Sequence, residues 1–292
     1  MRLAEQVAAQ RHRDAVDARA DAPAAPVTLD EQGDVQWRPQ RVDVSVTPAR
    51  PGREVLVGPA RAAIAEAVRT GSHRATLRVR PVPPAIATED ARRVRSLIGT
   101  FTTYYPCCEP RVTNIRLMAE AVDGTMIAPG EQFSLNAVAG ERTTGRGFVP
   151  APFIADGEVV DDVGGGVSQF STTMYNAAYF AGVQLDAHQP HSFYIGRYPP
   201  GREATLDYAS IQLLWTNDTE APVLVRTAST DTSVTVSLFG DNGGRVVSAS
   251  TGERHAVPGQ DFSITVTRVI RYADGREVRQ PVTTTYELPP ED

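Results

Sequence analysis

The sequence predicts an α+β protein, and three features carry that prediction. The first hundred residues mix a strand-like alternation, Val42/Val44/Val46, with a short helical stretch at 58–71. Gly164-Gly165-Gly166 then runs straight into a segment with helical spacing over 168–181. The residues beyond that helix read as short strands parted by turn residues, closing on a hairpin turned at Asp274-Gly275. The expected layout is a leader or helical segment (1–26), a small α+β module (27–96), a central domain with two main helices and a strand-rich second half (97–240), and a short β extension (241–292).

Element by element, residues 1–20 alternate Ala with Arg, Glu and Asp. They predict a helix with a thin apolar side, ended by the Ala/Pro run at 20–26 and read as a leader or the tail of another element. In "GPARAAIAEAVRTG", Pro59 stands in the first turn and Gly71 follows the last, which marks a helix. "RATLRVRPV" returns to strand, with Ala75, Leu77 and Val79 on one side. "EPRVTNIRLMAEAVDGT" places Val112, Ile115, Met118, Ala119 and Val122 at helical spacing and stops at Asp123-Gly124. In the helix over 168–181, Phe170, Met174, Ala177, Ala178 and Ala181 form the inward face and Gly182 the stop. Strands are expected at "HSFYIGRY", "EATLDY", "IQLLWTN", "PVLVRTAST" and "SVTVSLFGD".

Bulk composition narrows the function classes. The net charge of −6 argues against a nucleic-acid partner, which needs a concentrated basic face. All 29 basic residues are Arg, so lysine chemistry is excluded: no Schiff base, no Ser-Lys dyad and no phosphate-loop lysine after the glycines. No stretch reaches 18 apolar residues, and the first 26 residues lack the apolar core of a secretion signal. The given sequence thus predicts either a cytoplasmic protein or a chain that begins downstream of an anchor. The two cysteines, Cys107 and Cys108, are adjacent, about 3.8 Å apart at Cα across a trans peptide and below the usual disulfide range. Two packed thiols are the expectation, and neither cysteine spacing nor His188 with His191 offers a metal set. No cofactor or metal is expected.

The central segments, "RVTNIRLMAEAVDGTMIAPGEQFSLN", "GERTTGRGFVPAPFIADGEVVDDVGGGVSQFSTTMYNAAYFAG", "HQPHSFYIGRYPPGREATLDY" and "LLWTNDTEAPVLVR", together resemble the VanW family. That family is named for an accessory protein of a vancomycin-resistance cluster and is associated with the bacterial cell envelope. Residues 27–96 resemble the peptidoglycan-binding module that precedes such domains in actinobacterial relatives, and the tail after 250 resembles their β extensions. The resemblance implies an extracytoplasmic, envelope-associated protein whose partner is peptidoglycan, a muropeptide or another envelope protein.

Many relatives carry cysteine where this chain has Ser168. Glycines admit tight positive-φ turns, and a helix start offers unpaired N–H groups and partial positive charge, a setting that activates a thiol. His191 is the candidate base, expected to open a strand beside the helix, and Asp161, Asp162 or Glu203 would orient it. A hydroxyl gains far less from a helix end than a thiol does. Ser168 is therefore read first as a helix cap or ligand contact and second as a nucleophile. Gly164, Gly165, Gly166, Ser168, Gln169, His188, His191, Arg197, Arg202 and Glu203 form the candidate ligand-binding set, the arginines being suited to the carboxylates of stem peptides. The leading expectation is a non-catalytic module that binds peptidoglycan or its precursors. A serine amidase, peptidase or transpeptidase using Ser168 and His191, or an envelope assembly protein, are the alternatives.

Overall fold

Residues 2–23, 29, 35–155 and 158–289 are described by the structure, a computed structural model. They fall into two compact units, Met1–Ala20 with Ser45–Arg92, and Asp21–Val44 with Arg93–Asp292. The stretch expected as one module, 27–96, is thus divided. Residues 45–92 lie in the first unit, whereas Val35–Trp37 and Gln40–Arg41 pair with Val246–Thr251 and Ser96–Tyr104 of the second. The Ala/Pro run reaches into residues outside those described.

In the first unit, helix Arg2–Arg11 ends well before that run. It is more than a leader, since its Ala8 joins Val55 and Ala60 in a small core with Val57 and Leu77 packed against it. Helix Val57–Arg69 carries Pro59 in its first turn, where a missing N–H costs nothing. Gly52–Val55 pairs with Val79–Val82, so the strand expected from residue 75 starts only at Val79.

The two largest sheets of the second unit are antiparallel and five-stranded. One has the order Gln40–Arg41, Ser96–Tyr104, Ser233–Gly240, Val223–Ser229, Met126–Ile127. In the other, Phe262–Arg271 pairs with Val246–Thr251 on one side and Glu277–Tyr286 on the other, the hairpin read at Asp274-Gly275. The central helix, Val167–Ala181, lies directly on the first sheet. A Cβ on Gly99 would stand 2.3 Å from the Ala177 carbonyl oxygen, so only glycine permits this approach. Thr103 and Thr173 share a hydrogen bond of 2.7 Å across the contact, and Phe101 stacks on Phe180.

Every residue of the central helix is buried except half-buried Ser168. Phe170, Met174 and Phe180 are fully enclosed, each worth about 1.5–3 kcal/mol. An all-round buried helix needs partners for its polar side chains, and on one face this helix finds them in a loop. Ser168, Thr172 and Asn176, four residues apart, share one face. Opposite them runs the extended segment 202–206. Leu206 N–H donates to Ser168 Oγ (3.2 Å) and Ala204 N–H to Thr172 Oγ1 (3.1 Å), while Asn176 Nδ2 donates to the Arg202 carbonyl (2.7 Å). Three rungs, spaced by one helical turn on one side and two residues on the other, hold the loop down. The strands expected at "HSFYIGRY" and "EATLDY" are absent: residues 202–206 find backbone partners on the helix, while 191–198 is held by a bridge of Phe193 to Glu287 and a turn from Ile195 to Tyr198.

Arg268 closes the helix at its other end. Buried on the second sheet, it donates to the carbonyls of Ala178, Tyr179 and Val183. Ala178 and Tyr179 lie in the last turn of the helix and Val183 just past it, and a cation there also meets the negative end of the helix dipole. Burial lowers its pKa from 12.5 to about 10, so it stays charged at neutral pH.

Candidate functional site

The triglycine turn presents the start of the central helix. Gly164 and Gly166 hold φ of 90° and 87°, the left-handed region that glycine tolerates best. Gly165 is required for a different reason: its Cβ would stand 1.9 Å from the Ala151 carbonyl oxygen. Asn114 pins the turn, donating from Nδ2 to the carbonyls of Gly165 and Val149 (both 2.9 Å) and accepting Val149 N–H.

The cap is Gly166, and Ser168 is the second residue inside the helix. Its hydroxyl caps nothing; it bonds Leu206 N–H and Thr205 Oγ1 (3.2 Å each). The helix start is also less open than expected, because Val167 and Gln169 N–H are taken by the carbonyls of Gly164 and Gly166.

A cavity of about 260 Å³ opens against this turn. Gly166, Ser168 and Thr205 form one wall, His191 and Tyr198 another, and Phe193, Tyr194 and Ile195 an apolar side. Two guanidinium groups face it, Arg111 and Arg197. Arg111 packs on Gly166 and hydrogen-bonds Tyr198, and its buried Nε–H has no partner. Burial lowers the Arg111 pKa and raises that of Tyr198 to about 12, so at neutral pH the first is charged and the second is not. A partly desolvated guanidinium at a cavity wall is a strong seat for a carboxylate.

Behind the wall lies a buried chain of hydrogen bonds. His191 Nδ1 is 2.7 Å from Glu203 Oε2, both side chains being almost wholly buried. Tyr286 Oη donates to Glu203 Oε1 (2.5 Å) and accepts Gly201 N–H (2.7 Å). The His191 ring also stacks on Tyr198 at 5.4 Å. With Nδ1 engaged, Nε2 is the nitrogen with which the ring addresses the cavity.

Of the residues read from the sequence, Gly166, Ser168, His191 and Arg197 line this cavity, and Glu203 supports it from behind. The others are elsewhere. His191 lies in the loop against the helix rather than at the head of a strand. Gln169 is fully buried, donating to the Tyr104 carbonyl (2.9 Å). Arg202 is fully buried beside Phe101, Tyr179 and Phe180 and does not reach the cavity. Gly164 borders a separate polar cleft with Arg142 and Asp207. His188 lines a different pocket with Tyr175, Tyr179 and Arg268, stacked on Tyr175 at 4.1 Å.

Arg111, Thr205 and Tyr286 escaped the sequence reading. Arg111 carried a usable signal, a cation in the first turn of a helix within the resemblance; Tyr286 carried none, lying 83 residues from Glu203. The cysteines also differ from expectation, since Cys107 and Cys108 form a disulfide. Cys108 holds a left-handed φ of 73° in this exposed turn.

Residues 110–239 match the family model described as VanW like protein. This domain belongs to the VanW family. The chain is also similar to the uncharacterized protein YoaR of Bacillus subtilis strain 168, 35% identical over 143 residues, covering 49% of this chain and 47% of that one. The chain therefore spans about half the length of the curated relative it matches. No solved structure matches it. The glycine turn, Ser168, His191, Glu203, Arg111 and Arg197 all fall inside the VanW match, whereas Tyr286 comes from beyond it. Among the described residues, no helix is long and apolar enough to cross a membrane and no group of His, Cys, Asp and Glu is placed to hold a metal ion.

Proposed function

We propose that the VanW domain is a binding module for the carboxylate end of a peptide, with peptidoglycan stem peptides as its natural class. The engagement of Ser168 in the helix–loop ladder carries this reading. Its hydroxyl serves Leu206 N–H and Thr205, and its role is that of the first rung beside Thr172 and Asn176. The cavity beside it holds two arginines suited to an anionic end group and an apolar side suited to a small side chain. The VanW relationship favours the cell envelope, and a disulfide fits an oxidising compartment. Purified protein is expected to co-sediment with cell-wall sacculi and to bind soluble muropeptides. Arg111→Ala is expected to weaken muropeptide binding about 10- to 100-fold, through loss of a charge-assisted contact. No sedimentation and no muropeptide binding would reject the proposal.

A second reading, a serine-based amidase, peptidase or transpeptidase on the same peptides, is favoured by one observation. A buried Tyr286–Glu203–His191 chain behind a serine is the orienting arrangement of a general base. It requires muropeptide turnover that Ser168→Ala and His191→Ala each abolish while the fold persists. Binding that survives in Ser168→Ala, with no turnover in the parent protein, assigns the site to recognition.

A further inference from the structure

The hydrogen bonds behind His191 fix which kind of ligand group the ring can take. Glu203 receives the Tyr286 hydroxyl proton on Oε1, because that hydroxyl's own acceptor role is filled by Gly201 N–H. A carboxylate is acceptor-only, so its remaining oxygen, Oε2, takes the Nδ1–H of His191 at 2.7 Å. In its neutral form an imidazole has one N–H, and this geometry commits it to Glu203. Nε2 therefore turns a lone pair to the cavity.

We infer that the cavity distinguishes peptides from their ester isosteres: it takes a ligand whose carboxylate meets the arginines and whose neighbouring amide N–H donates to His191 Nε2. The inference rests on the proposed carboxylate recognition and adds the second anchor to it. Arg111 and Arg197 offer only donors, and the Tyr198 hydroxyl is already directed at Gln169 and Arg111. The Ser168 and Thr205 hydroxyls are bonded to each other. His191 Nε2 is thus an acceptor held in fixed orientation at this cavity, beside the two arginines. A C-terminal peptide unit presents the complementary pair, an anionic end group and, one Cα away, an N–H. An ester linkage in the same place puts an oxygen lone pair against the Nε2 lone pair.

The test is calorimetric titration of the whole protein with three probes of one shape: an acylated D-alanyl-D-alanine acid, the ester isostere ending in D-lactate, and the C-terminal carboxamide of the dipeptide. The acid is expected to bind at least tenfold more tightly than the ester, the cost of setting a buried acceptor against another acceptor. The carboxamide is expected to bind more weakly than the acid. Acid and ester binding alike, with the carboxamide weaker, would overturn the role of Nε2 and leave carboxylate recognition standing. Acid and carboxamide binding alike, or no probe binding, would overturn the carboxylate reading and this inference with it. His191→Phe is expected to equalise acid and ester; discrimination that survives in a folded variant would assign it to another group.

Discussion

His188 should give the stability of the VanW domain a pH dependence of its own. Its ring stacks on Tyr175, and its Nε2 is buried without a partner. Burial lowers its pKa from 6.5 to about 4. Above pH 6.5 the ring is neutral in both the folded and unfolded states and contributes no pH dependence. As pH falls below 6.5 the unfolded chain takes up a proton that the folded chain refuses, so stability drops until about pH 4 and then levels off. Each pH unit across that window is worth about 1.4 kcal/mol, which gives losses of about 2 kcal/mol by pH 5 and about 3 kcal/mol by pH 4. Carboxylates titrate in the same range, so the measurement is a difference between the parent and His188→Phe, which keeps a ring against Tyr175 and cannot ionise. Both tryptophans, Trp37 and Trp215, are buried in the second unit, so urea unfolding followed by their fluorescence reports that unit. The parent should lose about 3 kcal/mol more than His188→Phe between pH 7.5 and 4. Parallel pH curves for the two proteins would refute the reasoning.

Gly165→Ala should cost about 3 kcal/mol or more, since its Cβ collides with the Ala151 carbonyl. Gly145→Ala, where a Cβ meets only Thr143 Oγ1 at 3.9 Å, should stay within about 0.5 kcal/mol in the same thermal melts. Arg268→Met should lower stability by about 2–4 kcal/mol by removing the donor to the carbonyls of Ala178, Tyr179 and Val183, read from chemical denaturation. Tyr286→Phe keeps the ring among Tyr194 and Phe262 but removes the donor to Glu203. It should cost about 1.5–3 kcal/mol and shift the His191 ring resonances in NMR spectra, whereas unchanged resonances would separate Tyr286 from the histidine.

The parts of the fold set by local chemistry are legible in the sequence. Pro110 at a helix start, Gly182 at a helix stop and Asp274-Gly275 between alternating apolar runs each impose a backbone state on the residue that bears it. The misreadings share a physical cause. Segments 191–198 and 203–208 alternate like strands, and alternation cannot reveal that the second is held on a helix and the first by a single bridge to Glu287. Arg202 has the sequence surroundings of an exposed turn arginine, because nothing near it in the chain announces the aromatic rings of Phe101, Tyr179 and Phe180 that enclose it. His191 with Glu203 is within reach, one of three carboxylates the sequence offers. Tyr286 is not, since only the paired strands of the last hairpin bring it back.

The three-rung attachment of residues 202–206 has an effect on what the cavity can tolerate. Because alternate residues of that segment face opposite ways, the rungs place Arg202 among the aromatic rings and turn Glu203 and Thr205 toward His191 and Ser168. Adding or removing a single residue between Gly201 and Leu206 would exchange these directions, sending a carboxylate into the aromatic enclosure and a guanidinium toward the imidazole. Odd changes in loop length there would undo both surroundings together, while a substitution that respects the count would disturb at most one.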